Sequence, residues 1–153
     1  MKASRGEIKI CDILDMAGLN YQEEYSFPDL VSSSGRPLRF DFAVFDDNGD
    51  LDFLIEYQGI QHYEAKSKFG GAKGLYQQKY NDNQKRIYCK KHGYTLIAIP
   101  YWDEGIMDYD YIMKLAGYWF IFLNKVDKDE NFCYNKVDKE VPFQMRDRTK
   151  EIK

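Results

Sequence analysis

What this chain has little of narrows its class first. Cysteine occurs three times, at Cys11, Cys89 and Cys133. The number is odd, the spacing is wide, and no metal-ligand spacing is present. That pattern fits a reducing cytosol and carries no function of its own. The opening stretch, MKASRGEIK, has no apolar signal core. The longest apolar-rich run, 111–123, is too short to span a bilayer and includes Lys114. A soluble, intracellular, cytoplasmic protein with no membrane partner is expected. Positive charge is also lacking overall. The net charge of −3 excludes a globally basic nucleic-acid binder, though it can hide a local basic patch.

Aromatic residues are abundant, at 16% with 13 Tyr and 10 Phe, which argues for a folded chain. At 153 residues, one domain with a full core is expected. We read it as 1–123, followed by a charged C-terminal extension, 124–153. The pentapeptide Asn-Lys-Val-Asp-Lys starts at Asn124 and again at Asn135, which is too little for a repeat architecture.

The organising stretch is Leu38 to His62. Phe40, Phe42 and Val44 alternate with Arg39, Asp41 and Ala43. Leu51, Phe53, Ile55 and Tyr57 alternate with Asp52, Leu54, Glu56 and Gln58. This period of two, rich in aromatic and β-branched residues, predicts two strands. Asn48-Gly49 between them is a strong hairpin signal, since both tolerate positive φ. A two-residue loop pairs Asp47 with Asp50, Phe45 with Asp52, Ala43 with Leu54, Asp41 with Glu56, and Arg39 with Gln58. A longer loop, which Asp46 and Asp50 permit, breaks that register. Opposed carboxylates repel, and three things can relieve them: a divalent cation, a shared proton, or solvation on an exposed face.

In chain order, Ser4 opens a helix and Glu7 completes a capping box. Its stripe is Ile10, Ile13, Leu14 and Ala17, and Gly18 stops it. Glu7 shares that face and is either a cap or a carboxylate aimed at a site. Residues 21–27 predict a short edge strand ended by Pro28, and 30–37 a loop. After a loop over 59–74, 75–92 predicts a helix with Tyr76, Tyr80, Asn83 and Ile87 on one face, ended by Gly93. The apolar run 94–99 predicts a buried strand, parallel to 51–58 through a βαβ unit. Residues 109–123 predict a second amphipathic helix through Tyr111, Leu115, Tyr118, Trp119 and Phe122.

Residues 66–91 hold eight basic side chains against the single acid Asp82. They are Lys66, Lys68, Lys73, Lys79, Lys85, Arg86, Lys90 and Lys91, interleaved with Phe69, Tyr76, Tyr80 and Tyr88. Such a segment suits either a polyanion or a solvated helix face. If the strand's parity persists through Gly59, His62 shares a face with Glu56 and Gln58. It is then either a general base or water-positioning group, or a rim histidine with no role. Asp82 and Lys85, one helical turn apart, either face the sheet together or form an ordinary ion pair.

Together these pieces resemble the PD-(D/E)XK nucleases over roughly residues 4–101. That family has a restriction-endonuclease-like α/β (α+β) core with a mixed sheet, ordered helix, three strands, helix, strand; a C-terminal helix and tail follow here. More narrowly, LRFDFAVF, LIEYQGIQHY and DNQKRIYCKKHGYTLIAIPY are similar to phage-type homing endonucleases related to the very-short-patch-repair enzymes. Glu7, Asp41, Gln61-His62 and Asp82 match that branch's E–D–x–H–D signature. Two positions depart from the superfamily pattern. Phe40 precedes the Asp where Pro is usual, and Gln58 stands where the motif lysine is expected. Lys85 or His62 is a candidate for that lysine's role.

The resemblance implies a DNA endonuclease dependent on Mg²⁺ or Mn²⁺. Asp41, Glu56 and the Tyr57 carbonyl would hold the ion with hard oxygen ligands. Gln58 would orient the attacking water, and His62 would be a base or phosphate contact. Glu7 and Asp82 would be further ligands or outer-shell supports. Lys66, Lys68, Lys73, Lys79, Lys85, Arg86 and Lys90 would grip the DNA backbone. The alternative is a DNA-binding module on a nuclease fold that has lost catalysis, with a plain interaction domain as a third reading. No helix-turn-helix or zinc module follows the core. Long-site specificity would come from a homodimer, the loops, or the tail.

Overall fold

The structure is a computed structural model and describes residues 3–118. Ser4 starts the first helix, α1 (Arg5–Met16), through the expected capping box. Its hydroxyl accepts from the Glu7 amide, and the Glu7 carboxylate accepts from the Ser4 amide. Ile10 and Leu14 are fully buried and anchor the helix. Ile13 is only half-buried and Ala17 is exposed, so the inward stripe is narrower than the sequence predicts.

Four strands follow in one mixed sheet, ordered β1-β2-β3-β4. β1 (Asn20–Val31) is an edge strand, as expected, but it does not end at Pro28. Its ladder with β2 shifts register between Ser26 and Val31, and Pro28 lies within that irregular stretch. A proline's missing N–H is tolerated there. The loop before β2 therefore shrinks to residues 32–36.

β2 (Pro37–Phe45) and β3 (Leu51–Gln58) form the expected antiparallel hairpin. Its loop is longer than two residues. The Asp46 amide donates to the Asp50 carbonyl, and the Asp46 carboxylate accepts from the Asn48 and Asp50 amides. Phe45 accordingly faces Leu51, not Asp52. A register shift between Val44 and Phe45 absorbs the extra residue. Ala43 then meets Leu54, as predicted. The longer loop and the bulge cancel, so the inner half of the hairpin keeps its expected register.

α2 (Gly71–His92) starts one turn earlier than expected and ends at Gly93, whose φ is 72°. β4 (Thr95–Pro100) runs parallel to β3, with Ile97 and Ile99 buried and Ala98 exposed. It is thus the other edge strand, covered on one face rather than two. The main core packs Cys89 of α2 against Phe27, Leu30, Leu38, Phe40, Ala43 and Leu54.

The chain divides into two compact units, Met1–Ile106 and Met107–Lys153. In the second, Asp108 caps α3 (Tyr109–Leu115) by accepting from the Tyr111 amide. The helix ends at Leu115 rather than 123. Ala116 is its C-cap and Gly117 takes φ 98°. The expected contributions of Trp119 and Phe122, Cys133, and the extension 124–153 lie outside the described residues. Among the described residues, no helix is long and apolar enough to cross a membrane.

Candidate functional site

The site begins where the β2–β3 ladder stops. Backbone pairing extends inward from the turn to Phe42 opposite Ile55. One residue further, the Asp41 carboxylate replaces a backbone acceptor, its Oδ2 taking the Tyr57 N–H at 2.6 Å. Glu56 is buried next to this fork. Lys85 reaches it from α2, its Nζ donating to Glu56 Oε1 at 2.6 Å. Lys85 is only 8% exposed, and its ammonium also lies 5.4 Å from the centre of the Phe40 ring.

The electrostatics follow from that burial. Asp41 is pushed up to about 6, chiefly by desolvation. The Tyr57 amide opposes the rise, the charge of Glu7 adds to it, and Lys85 and His62 reduce it. Glu56 is raised for the same leading reason, and Lys85 is the main opposing influence. The charges of Asp41 and Asp82 raise it further. One ammonium therefore does not offset the carboxylates gathered here. Asp41 Oδ1 and Glu56 Oε2 receive no hydrogen bond among the described residues. Two desolvated, under-compensated carboxylates take up either a proton or a cation, and their burial argues against simple solvation as the relief.

His62 arrives by a different route from the one the sequence predicts. The strand ends at Gln58, and Ile60–His62 is a 3₁₀ turn, so strand parity does not carry past Gly59. The turn nonetheless buries His62 and sets its Nδ1 2.8 Å from Asp82 Oδ2. Gln78 donates to the other Asp82 oxygen at 3.1 Å. Asp82 and Lys85 both turn inward but do not pair with each other; each serves a different partner. Gln58 Oε1 accepts from the Tyr63 hydroxyl at 2.5 Å. The anticipated pairing of Gln58 with Arg39 is absent: Arg39 instead forms an ion pair with Glu24 at 2.6 Å.

Glu7 does both things the sequence left open. It closes the capping box, and it lines a cavity of about 430 Å³ with Ala3, Glu23, Glu24, Arg39, Asp41 and Phe42. Its placement depends on residues the sequence gave no reason to choose. The Tyr57 hydroxyl donates to Glu104 Oε2 at 2.7 Å. Arg5 Nε meets Glu104 Oε1 at 2.5 Å, and Lys9 Nζ donates to the Glu104 carbonyl at 2.5 Å. Gly6 lies against the Tyr57 ring, where a Cβ would overlap it. These contacts lash α1 to β3. Glu104 is far away in sequence and in no periodic pattern, so only the fold reveals it.

The side chains of the basic segment do not all lie on the surface. Lys85 is buried at Glu56 and does not lie on the outer face. Lys66 pairs with Glu64 at 2.6 Å, and Arg86 donates to Asn83 Oδ1 at 2.7 Å. Lys68 lies over the Phe69 ring. Lys73, Lys79, Lys90 and Lys91 are exposed.

The donor set matches a hard divalent ion in part. Among the described residues, no group of three or more His, Cys, Asp or Glu is arranged to hold a metal. Asp41 and Glu56 are two carboxylates, and a Mg²⁺ site commonly has one or two, completed by water and substrate oxygens. The Tyr57 amide already serves Asp41.

No protein-family profile matches the chain, and no solved structure does. It is similar to "Uncharacterized protein 094L" of Frog virus 3 (isolate Goorha), 41% identical over 78 residues, covering 50% of this chain and 48% of that protein. It is also similar to "Uncharacterized protein 307L" of Invertebrate iridescent virus 6. That match is 32% identical over 96 residues, covering 60% of this chain and 49% of the relative. The chain spans about half the length of the curated relatives it matches.

Proposed function

We propose that this protein is a divalent-metal-dependent DNA endonuclease with a restriction-endonuclease-like core, similar to homing endonucleases. One observation carries the reading: Asp41, Glu56 and Lys85 meet where β2 and β3 part, with the His62–Asp82 pair nearby. The element order helix, three strands, helix, strand supports it. Gln58 departs from the motif lysine, but Lys85 brings an ammonium to Glu56 from the following helix. A positive charge beside the acidic pair is therefore retained by another route.

Asp41 and Glu56 would hold Mg²⁺ or Mn²⁺. When bound, such an ion polarises a scissile phosphate and lowers the pKa of an attacking water. The chain's own groups have separate tasks. Lys85 commits one N–H to Glu56 and has others for a phosphate oxygen. An ionised Asp82 favours the His62 tautomer with its proton on Nδ1. That leaves Nε2 able to accept a proton from water, or to donate to phosphate once protonated. Gln58 accepts from Tyr63 through its oxygen, which leaves its amide N–H groups to orient water. Exposed Lys73, Lys79 and Lys90 would grip the backbone, which positions DNA without reading its sequence.

Gln58 favours a second reading: a DNA-binding module on this fold with no catalysis. Incubating supercoiled plasmid with the protein in Mg²⁺, Mn²⁺ or EDTA separates the two. Nicked or linear product only with the divalent ion is the expected result. A preserved gel shift with no cutting in either metal would select the second reading.

A further inference from the structure

We propose that the aromatic cluster at the carboxyl ends of β3 and β4 stacks an unpaired nucleobase, so that the preferred substrate is DNA with a single-stranded segment beside the cut. This rests on the nuclease reading and names its substrate class. Tyr63 and Trp102 lie with ring centres 4.6 Å apart, tilted by 52°. Tyr101 completes the group, 5.9 Å from Tyr63 and 5.2 Å from Trp102. Burial does not explain the cluster, because Trp102 is 59% exposed and Tyr63 is 36% exposed.

Two short turns build it, Ile60–His62 after β3 and Tyr101–Asp103 after β4. They come together because the strands are parallel, with Gln58 opposite Pro100. The carboxyl ends of parallel strands are where open α/β sheets receive ligands. The cluster is also wired to the site. Tyr63 donates to Gln58, two residues past Glu56, and directly follows His62. A base stacked on Trp102 would lie against Tyr63, whose hydroxyl is held by Gln58.

Lys66 is paired with Glu64 at 2.6 Å, Lys68 sits 4.7 Å from the centre of the Phe69 ring in the loop that follows, and the acids Asp82 and Asp103 act on Tyr63. What the cluster offers a nucleic acid is therefore its exposed π faces, on which free bases stack whatever their sequence. A continuous duplex keeps its base faces covered.

The test uses the full chain in EDTA, so that no cutting occurs, and two DNAs of equal length. One is a continuous duplex. The other carries a short single-stranded gap containing 2-aminopurine. Roughly tenfold tighter binding to the gapped DNA, with quenched 2-aminopurine fluorescence, is expected. Trp102→Ala should abolish that preference and the quenching while leaving duplex affinity unchanged, and Trp102→Phe should restore most of both. An unchanged circular dichroism spectrum would establish that each variant folds. Equal affinity of the parent for the two DNAs, or an unaltered preference in Trp102→Ala, overturns the proposal. Metal-dependent cutting without gap preference leaves the nuclease reading standing and removes the platform. A Trp102-dependent gap preference in a protein that never cuts with Mg²⁺ or Mn²⁺ keeps the platform and removes the nuclease. Binding to neither DNA removes both.

Discussion

Asp41 sits in surroundings that disfavour its charge. Its carboxyl is pushed up to about 6 by burial, against an ordinary value near 4 in an unfolded chain. The folded state therefore binds this proton more tightly than the unfolded state does. The resulting stability is full below about pH 4 and is lost as pH rises through about 6. Asp41→Asn should thus gain stability relative to the parent over that window, by something on the order of 2 kcal/mol at neutral pH. Parallel urea titrations at pH 4.5 and 7.5 would measure it; a pH-independent difference would contradict the assignment. Mn²⁺ should stabilise the parent more at the higher pH, where Asp41 is ionised, and should act less on Asp41→Asn. Lys85 is the complementary case. Lys85→Met leaves Glu56 buried without its counter-charge, which costs about 3–5 kcal/mol at neutral pH. Adding Glu56→Gln should recover a large share of that loss. Two additive losses in a double-mutant cycle would show that the pair is not coupled.

At the scale of elements, the sequence was most informative where local rules and tertiary packing agree. The Ser4–Glu7 box, a hairpin turn with Gly49 at positive φ and the stop at Gly93 follow from short-range chemistry, and the parallel β4 follows from the handedness and length of the βαβ crossover. The hairpin's inner register holds despite the longer loop because the bulge at Val44–Phe45 compensates. α2 is where legibility failed. Its apolar-looking stripe, Tyr76, Tyr80 and Ile87, is exposed, with Tyr76 at 73%. The inward face instead carries Gln78, Asp82, Lys85 and Cys89. Hydrophobic periodicity cannot find a helix face held by ion pairs, because each partner lies on another element. Tyr76→Ser should accordingly change stability by no more than about 0.5 kcal/mol, whereas Leu54→Ala in the core should cost about 2–5 kcal/mol. Thermal melts of the two variants check this, and a large loss in Tyr76→Ser would mean that α2 faces the other way. For α1, Gly6→Ala should destabilise the protein, since the added methyl meets the Tyr57 ring that the Glu104 contacts hold in place.

For the whole molecule, a negative net charge coexists with a local cluster of exposed lysines. Glu7, Glu23, Glu24 and Asp41 gather with Arg39 around one cavity, while Lys73, Lys79, Lys90 and Lys91 stay exposed on α2. If those lysines grip DNA, replacing Lys73, Lys79 and Lys90 with Ala should weaken binding at every sequence. It should also flatten the plot of log affinity against log salt, by about 0.9 for each phosphate no longer neutralised. An unchanged slope would make this a solvated face. The candidate site was legible as a set of residues, since Glu7, Asp41, Glu56, His62 and Asp82 do converge. Lys85 was a candidate for the missing lysine's place, but its pairing with Glu56 and the whole of Glu104's contacts were not legible, because both depend on packing between elements distant in sequence. The most direct measurement is cleavage of supercoiled plasmid by the parent and by Glu56→Gln, at matched protein concentrations in Mg²⁺, Mn²⁺ and EDTA. The account predicts nicking by the parent in divalent ion alone and none by Glu56→Gln, with DNA retention kept by both. Equal cutting by the two proteins, or cutting in EDTA, would contradict it.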